Sequence, residues 1–176
     1  MTGVQTCALP ICIDRAFSEL ESSLLLRVQA NRIVAHYERG FSALAAAEAL
    51  PRKKAKLLAI AEKDALVIAA ERMAWAEPFA ELIRAGIAAQ RGEKASATLA
   101  LGRAESGFSM ADMHLYAASA RRRRGELAGG EDGLRLAESA DQRMRAEGIE
   151  HPARWAAMLA PGFACESSLE SGLRSI

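Results

Sequence analysis

Three histidines are the first candidates for chemistry, because an imidazole can ligate a metal ion or act as a general base near neutral pH. His36, His114 and His151 lie far apart, and none has a second histidine or a cysteine pair at a spacing that metal sites use. His151 directly precedes Pro152, a placement typical of a helix start. The sequence therefore predicts no metal site and no cofactor.

Carboxylates and a thiol could carry acid–base or nucleophilic catalysis. Glu77, Glu81 and Glu105 could supply an acid–base pair, but nothing in their spacing fixes two of them at one site. Cys165 has no neighbouring base that would activate its thiol, which favours a spare cysteine over a nucleophile. We therefore expect no catalytic residue and no enzyme activity in this chain.

A run of four arginines, Arg121 to Arg124, is the longest block of like charge. It could bind phosphate or an acidic partner, with Arg121, Arg122 and Arg124 as the candidate interaction surface. Four consecutive helical residues point in nearly every direction around the axis, however, and so form no single face. Neutralising acidic residues follow closely, at Glu126, Glu131 and Asp132. The favoured interpretation is solvated helix surface.

A cluster of glycines follows the arginines. Gly125, Gly129, Gly130 and Gly133 superficially resemble a loop that cradles phosphate. That chemistry needs a preceding strand and a lysine followed by serine or threonine at the helix entry, and the sequence has neither here. A turn between two helices is the favoured interpretation.

Composition narrows the class of protein. Lys plus Arg is 23 and Asp plus Glu is 22, a net charge of +1, which argues against a nucleic-acid binder or a polybasic membrane module. No apolar run approaches the ~20 residues that span a bilayer. Two of the three cysteines, Cys7 and Cys12, lie in residues 1–12, which are interpreted as foreign. The remaining Cys165 cannot form an internal disulfide alone, which favours a reducing, cytoplasmic location.

The first residues need separate treatment. Residues 1–11, MTGVQTCALPI, resemble the conceptual translation of a common short-read sequencing adapter. The resemblance implies that residues 1–12 are foreign, and that the chain is the C-terminal fragment of a longer protein. We expect a helical domain over residues 13–163 and a flexible tail over residues 164–176.

Apolar residues return every three or four positions, which is the pattern of a buried helical face. It predicts helices over residues 14–50, with a break near Ser22 and Ser23, and then over 51–72, 78–92 and 93–108. Asp112 is predicted to be the N-cap of a fifth helix that ends at Gly129 and Gly130. A sixth helix is predicted over 131–147 and a seventh over 152–160.

Helix pairs joined by short turns suggest a repeat. Ala97, Leu101 and Ala104 align with residues 36 positions later, at Gly133, Ala137 and Ala140, and more loosely with Ala61, Ala65 and Ile68. Small residues also fall inside the first helix of a pair, at Ala85, Ala88, Ala118 and Ala120. A tetratricopeptide repeat is a helix–turn–helix of ~34 residues. The predicted fold is all-α, a tetratricopeptide-like array of about six to seven antiparallel helices.

Residues 111–163 carry a second resemblance. The quoted features are Arg122 to Leu127, the Gly129-Gly130 turn, Met144 with Gly148-Ile149, Pro152 to Arg154, and Leu159 to Phe163. They resemble the extreme C-terminus of large bacterial serine/threonine kinases in which a kinase domain and an ATPase-like module precede a helical repeat region. The chain lacks the glycine-rich loop and the catalytic aspartates of such kinases.

Two functions follow as expectations. The first is a non-catalytic interaction or regulatory segment of such a signalling protein, with a peptide, a protein or another domain of the parent as partner and neither nucleic acid nor membrane. The second is a helical regulatory segment of a transcription activator of the ATPase plus tetratricopeptide type. The ending from Pro152 to Phe163 offers no DNA-binding motif, which favours the first.

Overall fold

A computed structural model describes residues 16–163 of the chain, and the predictions for residues 1–12, for Cys165 and for the tail at 164–176 lie outside this range. Residues 16–22 are helical and lead into a 3-10 turn at Leu24–Arg27. Seven α-helices have both ends within the described residues: α1 (Gln29–Ala49), α2 (Lys54–Ala70), α3 (Glu77–Arg91), α4 (Lys94–Met110), α5 (His114–Ala128), α6 (Gly130–Ala146) and α7 (Pro152–Leu159).

Prolines and glycines set most helix ends where the sequence predicts them. The break expected near Ser22 and Ser23 is present, since the Ser23 hydroxyl accepts from the backbone N–H of Leu25 at the 3-10 turn. Pro51 opens a 3-10 turn before α2, and Pro78 lies in the first turn of α3. Gly92 ends α3 with φ at +80°, a backbone conformation that favours glycine.

Asp112 is a correction to the predicted helix starts. It does not cap α5, because α5 begins at His114 and its N-cap position is Met113, which makes no side-chain capping hydrogen bond. Asp112 instead adopts φ of +57° and ends α4. The N–H of Met113 donates to the Phe108 carbonyl at 2.9 Å and closes the left-handed turn that ends α4.

The predicted all-helical array of antiparallel pairs is confirmed, and residues 16–163 contain no strand. Helices α1 and α2, α3 and α4, and α5 and α6 pack as pairs, and each second helix also packs against the first helix of the next pair. Helix α7 packs on α5 and α6.

An aromatic cluster ties the first helices of the three pairs together. The Phe79 ring of α3 lies with its centroid 4.4 Å from Tyr37 of α1 and 5.0 Å from Tyr116 of α5. Phe108 of α4 stacks on Tyr116 at 5.1 Å. Burial raises the pKa of the Tyr37 hydroxyl far above its usual value, and the nearby Tyr116 hydroxyl adds to the shift. The core therefore runs through all three pairs.

Small residues lie where helices come closest. The predicted positions Ala97, Leu101, Ala104 and Ala140 are fully buried, and Gly133 is buried as well. A Cβ added at Gly125 of α5 would lie 2.6 Å from the Gly133 carbonyl oxygen of α6, so this crossing admits no side chain. The repeat of small residues that the sequence shows is a repeat of helix contacts.

Candidate interaction site

The first helices α1, α3 and α5 share a surface that another part of the chain covers. We call the surface around Leu44, Gly86, Gln90 and Arg123 the first-helix face. After α7 ends at Leu159, residues Ala160, Pro161, Gly162 and Phe163, here named the 160–163 segment, lie across this face. Ala160 and Phe163 are 0% and 5% exposed and belong to the main core.

Two glycines allow the 160–163 segment to lie backbone against backbone on α3. A Cβ added at Gly86 would lie 2.9 Å from the Pro161 carbonyl oxygen and 2.8 Å from the Leu44 side chain. Gly162 has φ of +93°, and a Cβ there would lie 3.2 Å from the Gly86 Cα. Both the room and the backbone conformation therefore depend on glycine.

Arg123 holds the 160–163 segment from α5. Its Nε donates to the Ala160 carbonyl at 3.0 Å, and its guanidinium carbon lies 5.4 Å from the centroid of the Phe163 ring. Nη1 donates to Glu126 Oε2 at 2.6 Å, which fixes the guanidinium from the far side. The Arg123 side chain is only 4% exposed, so these contacts are made in the protein interior.

Gln90 lines the same face. Its Nε2 donates to the Leu44 carbonyl at 2.8 Å, which joins α3 to α1 beneath the 160–163 segment. Its Oε1 is buried, and nothing in the described part of the chain donates a hydrogen bond to it. A buried acceptor without a donor is costly, so this face keeps a free acceptor next to the chain that covers it.

Three of the four consecutive arginines, Arg121, Arg122 and Arg124, form ion pairs between helices, whereas Arg123 pairs with Glu126 of its own helix. Arg121 Nε donates to Glu105 Oε1 at 2.7 Å, and Arg124 Nη1 lies 2.9 Å from the other oxygen of Glu105 without hydrogen-bond geometry. Arg122 Nε donates to Asp141 Oδ1 at 2.8 Å. The interpretation as solvated surface is wrong for Arg122 and Arg123, whose side chains are 11% and 4% exposed.

Arg121 and Arg124 of α5 therefore pair with Glu105 of α4, and Arg122 pairs with Asp141 of α6. A role for these three arginines in binding a partner stays a prediction. Arg123, which is not among the three predicted interaction residues, contacts the 160–163 segment. The sequence does contain one indication that Arg123 is buried. It follows the small residues of α5 and lies on the same buried face of the helix.

The three candidate carboxylates, Glu77, Glu81 and Glu105, differ in burial and in ion-pair partners. Glu81 is 8% exposed, and Arg84 Nη1 donates to it at 2.6 Å. Glu105 is 9% exposed and pairs with two arginines of α5, as described above. Glu77 is exposed in the first turn of α3. The two buried carboxylates are thus neutralised by arginines.

His36 has a buried partner that the sequence analysis missed. Its Nδ1 lies 2.7 Å from Asp64 Oδ1, and Arg39 Nε donates to Asp64 Oδ2 at 2.9 Å. Asp64 is fully buried on α2. The signal was present in the spacing, because Asp64 falls on the same helical stripe as Leu57 and Ala61.

An open groove on another side of the array is lined by α3 and α4. It has a volume of about 1200 Å³ and is lined by apolar Trp75, Pro78, Leu99 and Met110 together with Glu81 and Arg103. Leu99 and Met110 are 58% and 87% exposed. The groove therefore exposes both apolar and charged side chains.

Among residues 16–163 no three His, Cys, Asp or Glu side chains converge as a metal ion would require. His114 is exposed with Asp112 at 3.8 Å, and His151 is the N-cap residue of α7. Within the same residues, no helix has both the length and the apolarity to cross a bilayer.

Fold and site together define a helical-repeat array in which paired helices present one face to a non-helical segment. Comparisons with protein-family models, with curated proteins and with solved structures found nothing that matches the chain.

Proposed function

We propose that this chain is a non-catalytic protein-interaction segment of a bacterial signalling protein, and that it binds extended peptide on its first-helix face. The observation that carries the proposal is the 160–163 segment itself. The face holds it through a backbone carbonyl bonded to Arg123 and through a buried aromatic side chain. Stacked helix pairs bind their partners in this way, by shape and by scattered polar contacts.

The charge pattern supports recognition over catalysis. The buried carboxylates Asp64, Glu81 and Glu105 each have an arginine within ion-pairing distance. Each of these carboxylates is thus the counter-ion of an arginine, and the ion pair fixes its position in the array. These groups are better suited to fixing helices than to transferring protons.

The parent is proposed to be a serine/threonine kinase of the type that residues 111–163 resemble. These residues form α5, α6, α7 and the 160–163 segment, so the resemblance covers one contiguous end of the array. In such a parent the array would relay partner binding to the upstream modules. The runner-up parent is a transcription activator with an ATPase-like module.

The coding sequence upstream of residue 13, read from the source DNA, tests the choice of parent. A kinase domain in the same frame is the expected result. A DNA-binding module without a kinase would overturn the kinase assignment and favour the activator.

The interaction role is tested with the upstream modules produced as a separate polypeptide and titrated calorimetrically into this chain. We expect saturable binding by the Phe163→Ala variant, in which the 160–163 segment lacks its aromatic side chain. In that variant Arg123→Ala should weaken binding, and Arg135→Ala, at an exposed arginine on α6, should leave it unchanged. Absence of binding to the upstream modules by the folded chain and by the folded Phe163→Ala variant would refute an interaction role.

A further inference from the structure

The covering of the first-helix face by its own chain suggests how this face is regulated. We infer that the 160–163 segment is an intramolecular ligand, and that the external partner is an extended peptide of the same chemistry: a small residue, proline, glycine and an aromatic side chain. This inference rests on the proposed function, because it names the ligand of the same face.

The 160–163 segment is held as bound peptides are held. It is not helical, since Ala160 has φ of −135° and ψ of 72°, and Gly162 lies at φ of +93°. Its main-chain oxygen at Ala160 accepts from a side chain of the array, Arg123. Main-chain hydrogen bonds give affinity for extended peptides, and side-chain pockets give the specificity.

Each residue of the segment contributes a separate requirement. Proline at 161 has no N–H and a fixed φ, so an extended chain loses less entropy when it binds. Only glycine fits at 162, because of its positive φ and the nearby Gly86 Cα at 3.2 Å from an added Cβ. Phe163 fills an apolar site beside the Arg123 guanidinium. A partner therefore needs the Pro-Gly-aromatic order.

Helix α7, which joins the segment to the array, packs less extensively than the helix pairs do. Helix α7 has only eight residues and buries Pro152 and Ala156. It packs on a small second cluster formed by Ala118, Ala140 and Met144. The indole N–H of Trp155 on α7 is buried, and no described residue accepts its hydrogen bond. Because α7 is short and rests on this small cluster, residues 152–163 are suited to detach as a unit.

Tethering explains why the face is covered in the isolated chain. A segment joined through α7 is present at its site at an effective concentration of about millimolar, so a free peptide of equal affinity competes poorly. A partner gains the site either by binding more tightly or by detaching α7. The 160–163 segment donates no hydrogen bond to Gln90 Oε1. A partner that places a donor there would gain this hydrogen bond and bind more tightly.

The test uses a labelled, end-blocked peptide with the sequence of residues 158–163 and fluorescence anisotropy. The chain shortened to residues 1–159 is expected to bind the peptide at least about tenfold more tightly than the full chain. Replacing phenylalanine by alanine in the peptide is expected to weaken binding about tenfold, and a peptide of scrambled order is the control.

A second variant guards against failure of the shortened chain to fold. Phe163→Ala in the full chain removes the aromatic anchor and alters no residue of α1 to α6. Circular dichroism checks that each variant keeps its helices. The inference is overturned if folded variants bind the peptide no better than the full chain, or if the alanine peptide binds equally well. If the upstream modules still bind the chain in that case, the proposed function holds, but the 160–163 sequence is not the ligand.

Discussion

Nδ1 of His36 lies 2.7 Å from Oδ1 of Asp64 in the interior between α1 and α2. Arg39 reaches the same carboxylate from one turn further along α1, with Nε 2.9 Å from Oδ2. Asp64 is fully buried, so its charge has no water to replace these partners. The first pair of helices is therefore joined by a buried ionic group as well as by apolar contacts.

Asp64→Ala is predicted to destabilise the fold strongly. The substitution removes the hydrogen-bond acceptor of both His36 and Arg39. Leaving the buried Arg39 guanidinium without its counter-ion should lower the free energy of unfolding by about 3–5 kcal/mol. Urea unfolding followed by circular dichroism measures the change. The matched control is Glu62→Ala on the same helix, whose side chain is 53% exposed and pairs with Arg91 at 3.1 Å. That variant should change stability by less than about 1 kcal/mol. Equal effects of the two would contradict a buried ionic group.

Gly125→Ala is predicted to loosen the contact of α5 with α6. The added methyl would lie 2.6 Å from the Gly133 carbonyl oxygen and 2.9 Å from the Ala137 nitrogen, and backbone cannot give way as a flexible side chain does. We expect a loss of about 1–3 kcal/mol in the free energy of unfolding.

Gly102→Ala on α4 is the control for this variant. An added Cβ there meets only Arg124 Nη1, at 3.5 Å, an ordinary contact. Because glycine inside a helix is unfavourable relative to alanine, this change should stabilise the chain by up to about 1 kcal/mol. A stabilising Gly125→Ala would show that the two helices lie farther apart than described.

Glu71 is predicted to make stability depend on acid pH. Hydrogen bonds from Arg32 lower the pKa of Glu71 below its usual value of 4.5, and a hydrogen bond from Gln29 acts in the same direction. A carboxylate whose pKa falls on folding stabilises the folded state above the unfolded pKa. That contribution is lost as the pH falls through the folded pKa.

The measurement for Glu71 compares the unfolding free energy of the wild type with that of Glu71→Gln, from about pH 7 down to about pH 3. The wild type should be the more stable protein at neutral pH, and the difference should shrink below pH 4.5. Glu62→Gln, at an exposed ion pair, serves as the control. A difference that does not change with pH would mean that folding leaves the pKa of Glu71 unaltered.

The sequence predicts the helices better than it predicts their contacts. Helix ends depend on local chemistry, so Pro51, Pro78 and Gly92 are sufficient to place them. Asp112 does not cap α5, because the hydrogen bond from the Met113 N–H to the Phe108 carbonyl ends α4 at this point. The capping preference of one residue does not show whether that residue will end the preceding helix or begin the following one. The pairing of His36 with Asp64 joins residues on different helices, and spacing along one helix shows only that Asp64 faces inward.

The candidate site was the hardest part to predict. The Leu159-to-Phe163 motif is visible in the sequence, but the surface that receives it is not. That surface is assembled from Leu44, Gly86, Gln90 and Arg123, which come from three helices. Only the stacking of the pairs brings these residues together.

The arginine run gives the last prediction, because its members differ in burial although they are adjacent in sequence. Arg122 is 11% exposed and bonds to Asp141 of α6 at 2.8 Å, and it also pairs with Glu126. Arg122→Ala should cost about 2–3 kcal/mol in the free energy of unfolding, since it leaves a largely buried carboxylate without its nearest cation. Arg135→Ala removes an arginine that is 67% exposed and should cost less than about 0.5 kcal/mol.

A double-mutant cycle with Asp141→Ala separates the ion pair from simple loss of packing. If Arg122 and Asp141 stabilise each other across α5 and α6, the double variant should be less destabilised than the two single variants added together, by about 1–2 kcal/mol. The alkyl stem of Arg122 could account for the whole effect instead, because long side chains also pack against apolar neighbours. In that case the two single effects would simply add, and the arginine run would act on α6 through its carbon chain rather than its charge.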